Sequence, residues 1–282
     1  MHTIRTIKGM VAWSRSAERD GRSIGFVPTM GALHEGHKSL IKSARAACDA
    51  VVVSIFVNPL QFGPMEDLER YPRPLEEDMR LCRREKVDVV FLPAVDELYP
   101  SAFETAVSVQ RLTRRFEGIS RPGHFGGVAT VVTKLLNIVH PGKAFFGQKD
   151  YQQAAVVSRL VADLNIRTEI IVRPTVREPD GLALSSRNTF LTLEERKAAT
   201  VLYQALAAAR DVIRDGERSA KKIRAAMIRT IWEEPLARLD YAAVADAETL
   251  EEVRSARGRL VLLLAVWIGN TRLIDNMELL CR

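Results

Sequence analysis

The chain has 282 residues, 47% hydrophobic and 27% charged, with a formal net charge of +6. That is enough apolar material for one large domain or two smaller ones, and it excludes disordered and fibrous classes. The basic residues are spread out, with Arg83-Arg84 and Arg114-Arg115 as modest clusters and no long basic tail, so no nucleic-acid partner is expected. Cys48, Cys82 and Cys281 are odd in number and far apart, with no CxxC pair, which argues against a disulfide framework. Residues 1–10 lack the apolar core of a signal peptide, and the longest apolar run, 260–268, is too short to span a bilayer. A reducing, cytoplasmic compartment and no membrane partner are therefore expected.

Strands and helices alternate through the first half. Residues 24–27 read as a strand, 38–47 as a helix, and 50–57 as a buried strand rich in β-branched residues. A helix over 75–85 precedes a strand at 87–92, and a helix over 126–139 precedes a short strand at 143–146. A helix over 151–164 and a strand at 168–172 complete the series. Near-continuous apolar strands alternating with helices predict an α/β fold: a doubly wound, Rossmann-like parallel sheet. Such a sheet binds its ligand at the carboxyl ends of the strands.

The second half reads differently. A long amphipathic helix spans 193–214, with Thr192 as N-cap followed by Glu194 and Glu195. A second helix spans 219–232, with Ser219 as its cap. Short strands are expected at 241–245, 259–267 and 271–277. This predicts a smaller α+β domain. The division falls in 173–187, where Pro174, Pro179 and Gly181 interrupt the pattern, giving domains 1–175 and 176–282.

Four segments carry chemistry, and each follows a strand. The first is Pro28-Thr29-Met30-Gly31-Ala32-Leu33-His34-Glu35-Gly36-His37. It reads as a Gly-rich turn into a helix, with two imidazoles where free amides and the helix dipole favour an anion such as phosphate. A zinc protease would need histidines four apart on one helix face, whereas His34 and His37 are three apart; a structural zinc site would need more Cys or His nearby. The second is Phe145-Phe146-Gly147-Gln148-Lys149-Asp150-Tyr151-Gln152-Gln153. Gly147 permits close backbone approach, Lys149 supplies a compact charge for a phosphate, and Asp150 either meets a ribose hydroxyl or caps the helix.

The third segment is Asn58-Pro59-Leu60-Gln61-Phe62-Gly63, which on its own reads as a turn built on Asn-Pro. The fourth runs from Asp180-Gly181 to Ser185-Ser186-Arg187-Asn188. Its hydroxyls and guanidinium suit β- and γ-phosphates, and a linker ending in a helix cap is the plainer alternative. Glu76-Glu77-Asp78 reads as the acidic first turn of a helix. Arg121-Pro122-Gly123-His124-Phe125 has the glycine of a mobile segment and is given no catalytic role.

His34-Glu35-Gly36-His37 resembles the His-x-Gly-His motif of the nucleotidyltransferase superfamily, whose histidines contact ATP phosphates and stabilise the transition state at the α-phosphorus. The longer string from Pro28 to His37 is similar to the pantothenate synthetase (pantoate–β-alanine ligase) family, and the resemblance extends over nearly the whole chain. It implies ATP-dependent condensation of (R)-pantoate with β-alanine to pantothenate, AMP and pyrophosphate through a pantoyl adenylate. It implies catalytic roles for His37, His34 and Lys149. ATP would be met by Met30, Gly31, His34, His37, Gly147, Lys149, Asp150, Leu184, Ser185, Ser186 and Arg187, and adenine by the Val176 backbone. Pantoate and β-alanine would be met by Pro28, Met30, Asn58, Gln61 and Gln153. Mg²⁺ with ATP, a homodimer, and acidic residues at 76–78 positioning magnesium or touching the partner subunit are also implied; no metal ligand is assigned. The second domain, hinged near 173–187, would act as a lid. Two other readings stand beside this one: a His-x-Gly-His enzyme acting on a phosphorylated acceptor, and an RNA-binding module like those of aminoacyl-tRNA synthetases. For the latter the stretch after the division is too short and too mixed in charge.

Overall fold

The computed structural model describes residues 1–63 and 68–281. The chain forms two compact units, one of residues 1–147 with 152–174 and one of residues 148–151 with 175–282. The first unit opens with β1 (His2–Ile4) and α1 (Ile7–Arg19), followed by β2 (Ile24–Thr29), α2 (Glu35–Ala47) and β3 (Ala50–Ile55). It continues with α3 (Leu75–Arg84), β4 (Val89–Phe91), and the short helices α4 (Val95–Leu98) and α5 (Glu117–Ser120). It closes with α6 (His124–Val139), β5 (Lys143–Gly147), α7 (Tyr151–Asp163) and β6 (Glu169–Arg173).

All six strands pair in parallel in the order β1-β4-β3-β2-β5-β6. Both faces of the sheet are apolar, because successive side chains of a strand point to opposite sides. Phe26, Val52 and Phe146 pack with Met10, Leu136 and Leu160 on one face. Val27, Val53 and Phe145 pack with Ile41, Leu81 and Cys82 on the other. This is the doubly wound α/β sheet that the alternation predicts. Strand order reverses at β2, which pairs with β3 on one side and β5 on the other. Ligands of such sheets bind outside the carboxyl ends of the strands at that reversal.

The second unit contains α8 (Leu193–Ala198), α9 (Val201–Arg214), α10 (Ala220–Trp232), β7 (Ala237–Asp246), β8 (Gly258–Ile268) and β9 (Thr271–Cys281). The three strands form an antiparallel sheet in chain order. Leu260, Leu262, Leu264 and Val266 of β8 pack against Leu202 and Leu206 of α9 and Ile223 and Met227 of α10. This is the expected smaller α+β fold.

Several details differ from the sequence reading. Strand β1 and helix α1 were not anticipated: three residues are too few to carry a period, and β1 is fixed by its pairing with β4. The single helix expected over 193–214 is two, separated at Ala199 and Thr200, where the Thr200 hydroxyl donates to Lys197 O. Ser219 occupies the N-cap position of α10, but its side chain makes no capping bond. Glu217 instead orders the chain just ahead of the helix, accepting the amides of Ser219 and Arg218 at 2.8 and 2.9 Å. The last three strands are longer than expected, because charges at their ends are paired across the sheet, Arg259 with Glu278 and Arg272 with Asp240.

The Lys222 ammonium at 2.8 Å and the two amides hold the Glu217 carboxyl down at about 2, from an ordinary 4.5. A depressed carboxylate stabilises the fold above its unfolded value, and that contribution is lost as pH falls through the folded one. The thermal midpoint of Glu217→Gln should therefore fall less than that of the parent between pH 4.5 and about 2. Parallel midpoint curves would show that Glu217 does not order the chain ahead of α10.

Candidate active site

The turn after β2 is built to reverse the chain within a few residues. Thr29 Oγ1 donates to Ser54 O at 2.7 Å and accepts from Gly31 N at 3.1 Å. Gly31 and Ala32 then adopt left-handed backbone conformations, with φ of +87° and +51°. At Gly31 any side chain is strained by that φ, and a Cβ would lie 3.0 Å from Asp78 Oδ2. The exposed amides of this turn are taken by Asp78 of α3, whose two oxygens accept from Ala32 N at 2.9 Å and Leu33 N at 2.7 Å. Asp78 is 2% exposed, and burial pushes its carboxyl above the usual range while the two amides pull it down.

Helix α2 then begins with a reciprocal histidine cap. His34 is the N-cap residue, and its Nδ1 accepts from Gly36 N at 3.1 Å. His37 Nδ1 accepts from His34 N at 3.3 Å. The ring centroids are 4.2 Å apart. A backbone amide can only donate, so Nδ1 of each ring is bare and the ring proton sits on Nε2. The cap thereby fixes one tautomer in both rings and directs each N–H donor away from the helix backbone. Together with the remaining first-turn amides these donors suit a phosphate.

The turn after β3 forms a second constellation. Asn58, 1% exposed, accepts from Leu60 N and from the Tyr99 hydroxyl at 2.9 Å. Its Nδ2 donates to Gln61 Oε1 at 2.9 Å and to Gly127 O at 3.1 Å. Gly127 lies so close that a Cβ there would sit 2.2 Å from Leu60 O. The Gln61 amide donates to Met30 Sδ at 3.3 Å. A thioether is a weak acceptor, so a hydroxyl or carboxylate would compete well for that N–H. The Gln61 carbonyl accepts from His124 Nδ1 at 2.8 Å, and Arg121 Nη1 donates to His124 Nε2 at 3.1 Å. A carbonyl only accepts and a guanidinium only donates, which fixes His124 as its Nδ1–H tautomer.

Gln153, in the first turn of α7, is half-buried, and among the described residues its amide makes no side-chain hydrogen bond. The adjacent Gln152 is instead structural. Its amide holds the 112–117 segment through Leu112 O, Arg115 O and Glu117 N.

Pro28 lies within β2 and Gly147 ends β5, both in the first unit, and the other residues singled out from the sequence lie in the second. Lys149 pairs with Asp150 at 3.7 Å and lines a small cleft with Ser185, Asn188 and Asp275. Residues 176–184 form a hairpin in which Leu184 N donates to Val176 O. Ser185 Oγ accepts from Arg187 N, opening a tight turn that carries Ser186 and Arg187. Arg177 braces this hairpin through a bidentate pair with buried Asp275 at 2.6 and 2.8 Å, and its guanidinium also lies 4.7 Å from the Tyr203 ring.

The structure thus brings Met30, Gly31, His34 and His37 together on one turn, Gln61 against Met30, and Lys149 against Ser185. The ATP-implied residues are divided between the units, with Met30 to His37 and Gly147 in the first and Lys149 to Arg187 in the second. Asp78, Tyr99, His124, Asp275 and Asn276 were not assigned from the sequence. Each reaches its partner across 41 or more positions of chain, and no local pattern marks such a bond.

A parallel sheet with a His-x-Gly-His turn at its strand reversal, and with amides beside it, defines an ATP-using enzyme of the nucleotidyl-transfer class. A family model described as pantoate-beta-alanine ligase matches residues 2–278. The chain is 55% identical to the pantothenate synthetase of Moorella thermoacetica over 279 residues, 99% of each chain. It is 54% identical to that of Heliobacterium modesticaldum over 277 residues, covering 98% and 99%. The crystal structure of pantothenate synthetase from Thermus thermophilus superposes with a TM-score of 0.94 at 46% identity, covering 99% of each chain. A pantoate-beta-alanine ligase from Francisella tularensis, complexed with beta-gamma ATP and beta-alanine, superposes with a TM-score of 0.80 at 38% identity over 98% and 97% of the chains. This chain belongs to the pantoate–β-alanine ligase family.

Removing the carboxylate in Asp78→Ala leaves the Ala32 and Leu33 amides without their partner, at a cost of about 1–3 kcal/mol. Denaturant unfolding should show that loss, together with a higher KM for ATP. An unchanged KM for ATP would detach Asp78 from the site.

Proposed function

We propose that the enzyme condenses (R)-pantoate with β-alanine at the expense of ATP, releasing AMP and pyrophosphate. The reciprocal histidine cap carries this reading, since it presents two tautomer-fixed N–H donors at a helix start. A free carboxylate is a poor acyl donor because its leaving group is oxide. A pantoate carboxylate oxygen attacks the α-phosphorus of ATP, and the bond to the bridging oxygen breaks with its electron pair going to pyrophosphate. The β-alanine amine then attacks the acyl carbon of the pantoyl adenylate, the acyl C–O bond breaks, the amine proton is released, and AMP departs.

Both approaches bring like charges together, so donors and cations decide the rate. The Nε2–H groups of His34 and His37 bond the phosphate oxygens, with His37 serving the departing pyrophosphate. Lys149, the hydroxyls of Ser185 and Ser186, and the Arg187 guanidinium hold the β- and γ-phosphates. Met30, Gly31, Gly147, Asp150, Val176 and Leu184 complete the nucleotide contacts.

Gln61 and Gln153 bind the hydroxyls and carboxylate of pantoate without adding a competing charge. Pro28 and Met30 are assigned to the same substrate, Met30 through its contact with Gln61, and Asn58 belongs to this set through its bond to Gln61. Among the described residues no group of three or more His, Cys, Asp or Glu is placed to hold a metal. In this reading Mg²⁺ enters with the substrate, bound to ATP phosphates. A homodimeric, cytoplasmic enzyme is part of the same reading, on the strength of the family resemblance.

AMP release is the direct assay. AMP and pantothenate should form only when ATP, Mg²⁺, (R)-pantoate and β-alanine are all present. ATP and pantoate without β-alanine should release about one pyrophosphate per site, the burst expected when the adenylate accumulates on the enzyme without turning over. No turnover, with pyrophosphate released only on a phosphorylated acceptor, would select the other His-x-Gly-His reading. His37→Ala should lower adenylation about 10²–10³-fold, as the loss of one transition-state donor does. The same change should cost only about 1 kcal/mol of stability through the lost cap. A fully active variant would remove His37 from the mechanism.

A further inference from the structure

The phosphate-side lysine emerges from β5, yet residues 148–151 cluster with the second unit. The Tyr151 hydroxyl donates to Ala247 O at 2.9 Å, and one side chain of β9 holds Gln148 and Lys149. Asn276 is 3% exposed, and both hydrogens of its amide are spent on consecutive carbonyls, donating to Gln148 O and Lys149 O at 2.9 Å each. Its Oδ1 accepts from Gln148 Nε2 at 3.5 Å. The backbone of Asn276 is itself held on both sides. Its N–H donates to Asp275 Oδ1 at 2.7 Å, and its carbonyl accepts from Arg177 Nη2 at 3.2 Å. Arg177 is in turn clamped by Asp275 and belongs to the hairpin leading to Ser185–Arg187.

We propose that Asn276 is a positioning residue for nucleotide binding: by holding the carbonyls of Gln148 and Lys149 it fixes the Lys149 ammonium against the phosphates of ATP, on the same strand that braces the Ser185–Arg187 hairpin. The inference rests on the reading of Lys149 as a phosphate ligand. The chemistry requires an amide at this position. Two carbonyls need two donors from one side chain. An aspartate would turn lone pairs onto both carbonyls, and a lysine or arginine would set a second cation beside the Lys149 ammonium and repel it. Asn276 touches neither substrate nor reacting atoms in this scheme. It acts through Lys149.

A double-mutant cycle on the full-length protein tests this, with the ATP dissociation constant measured by calorimetry for the parent, Asn276→Ala, Lys149→Ala and the double variant. Loss of the two hydrogen bonds should weaken ATP binding about tenfold in Asn276→Ala. In the Lys149→Ala background the same change should have almost no further effect. The isosteric Asn276→Asp, whose size keeps the strand packed, should weaken ATP binding at least as much as Asn276→Ala. Neither Asn276 variant should shift the KM for β-alanine more than about twofold, which a general loosening of the fold would do. If Asn276→Ala leaves ATP binding intact while Lys149→Ala weakens it, the positioning role is overturned and the lysine reading survives. Additive losses would equally overturn it, because Asn276 would then act independently of Lys149. If Lys149→Ala binds ATP as the parent does, the lysine reading itself fails and the inference falls with it.

Discussion

A parallel strand that ends leaves its last amides and carbonyls without ladder partners, and buried backbone groups must be bonded to something. In this enzyme several connecting segments are held by side chains, most of them from elements distant in the chain. Asp78 takes the amides of the turn after β2. Asn58 and Tyr99 organise the turn after β3. Gln152 gathers the 112–117 segment, and Asn276 takes the carbonyls that follow β5. The residues proposed to touch substrate after β2, β3 and β5 are on, or next to, backbone secured in this way, and the 176–187 segment is braced by the Arg177–Asp275 pair. The same bonds that complete the fold therefore set the positions of the chemical groups.

The histidine pair extends this logic to protonation. Each imidazole spends Nδ1 on the backbone of its own helix start, so its other nitrogen is necessarily the donor. In the proposed reaction these two N–H donors and the first-turn amides would meet phosphate through hydrogen bonds, with the positive charge assigned to Lys149, Arg187 and the magnesium carried with ATP. Protonating either ring at Nδ1 would break the cap, so charge at the histidines and order at the start of α2 are opposed.

Much of this was readable in the sequence, and the boundary of legibility has a physical cause. The β2–α2 turn was legible because its glycines and histidines are contiguous and punctuate an apolar strand and an amphipathic helix. Gln61, Gln153, Lys149 and the 185–187 segment were singled out because they lie in short strings that resemble a family. The doubly wound sheet followed from alternation alone. By contrast, Asp78 read as one of three acidic residues at a helix start, with magnesium or the partner subunit as its implied contact, and Asn276 as a polar residue of a short strand. Their roles exist only through bonds to residues 45 and 127 positions away. The division of the 193–214 helix was hidden as well, since Ala199 and Thr200 both remain in the right-handed helical region while the hydrogen-bond pattern lapses.

The tautomer of His34 and His37 is the most direct measure of how the backbone sets the chemistry. Nitrogen-15 NMR of the two imidazoles, at a pH where the rings are neutral, reads it without turnover. The structure predicts a protonated Nε2 and a bare, hydrogen-bonded Nδ1 in both rings. A proton on Nδ1 of either ring would mean that the reciprocal cap does not form in solution, and that the donors assigned to the phosphates point elsewhere.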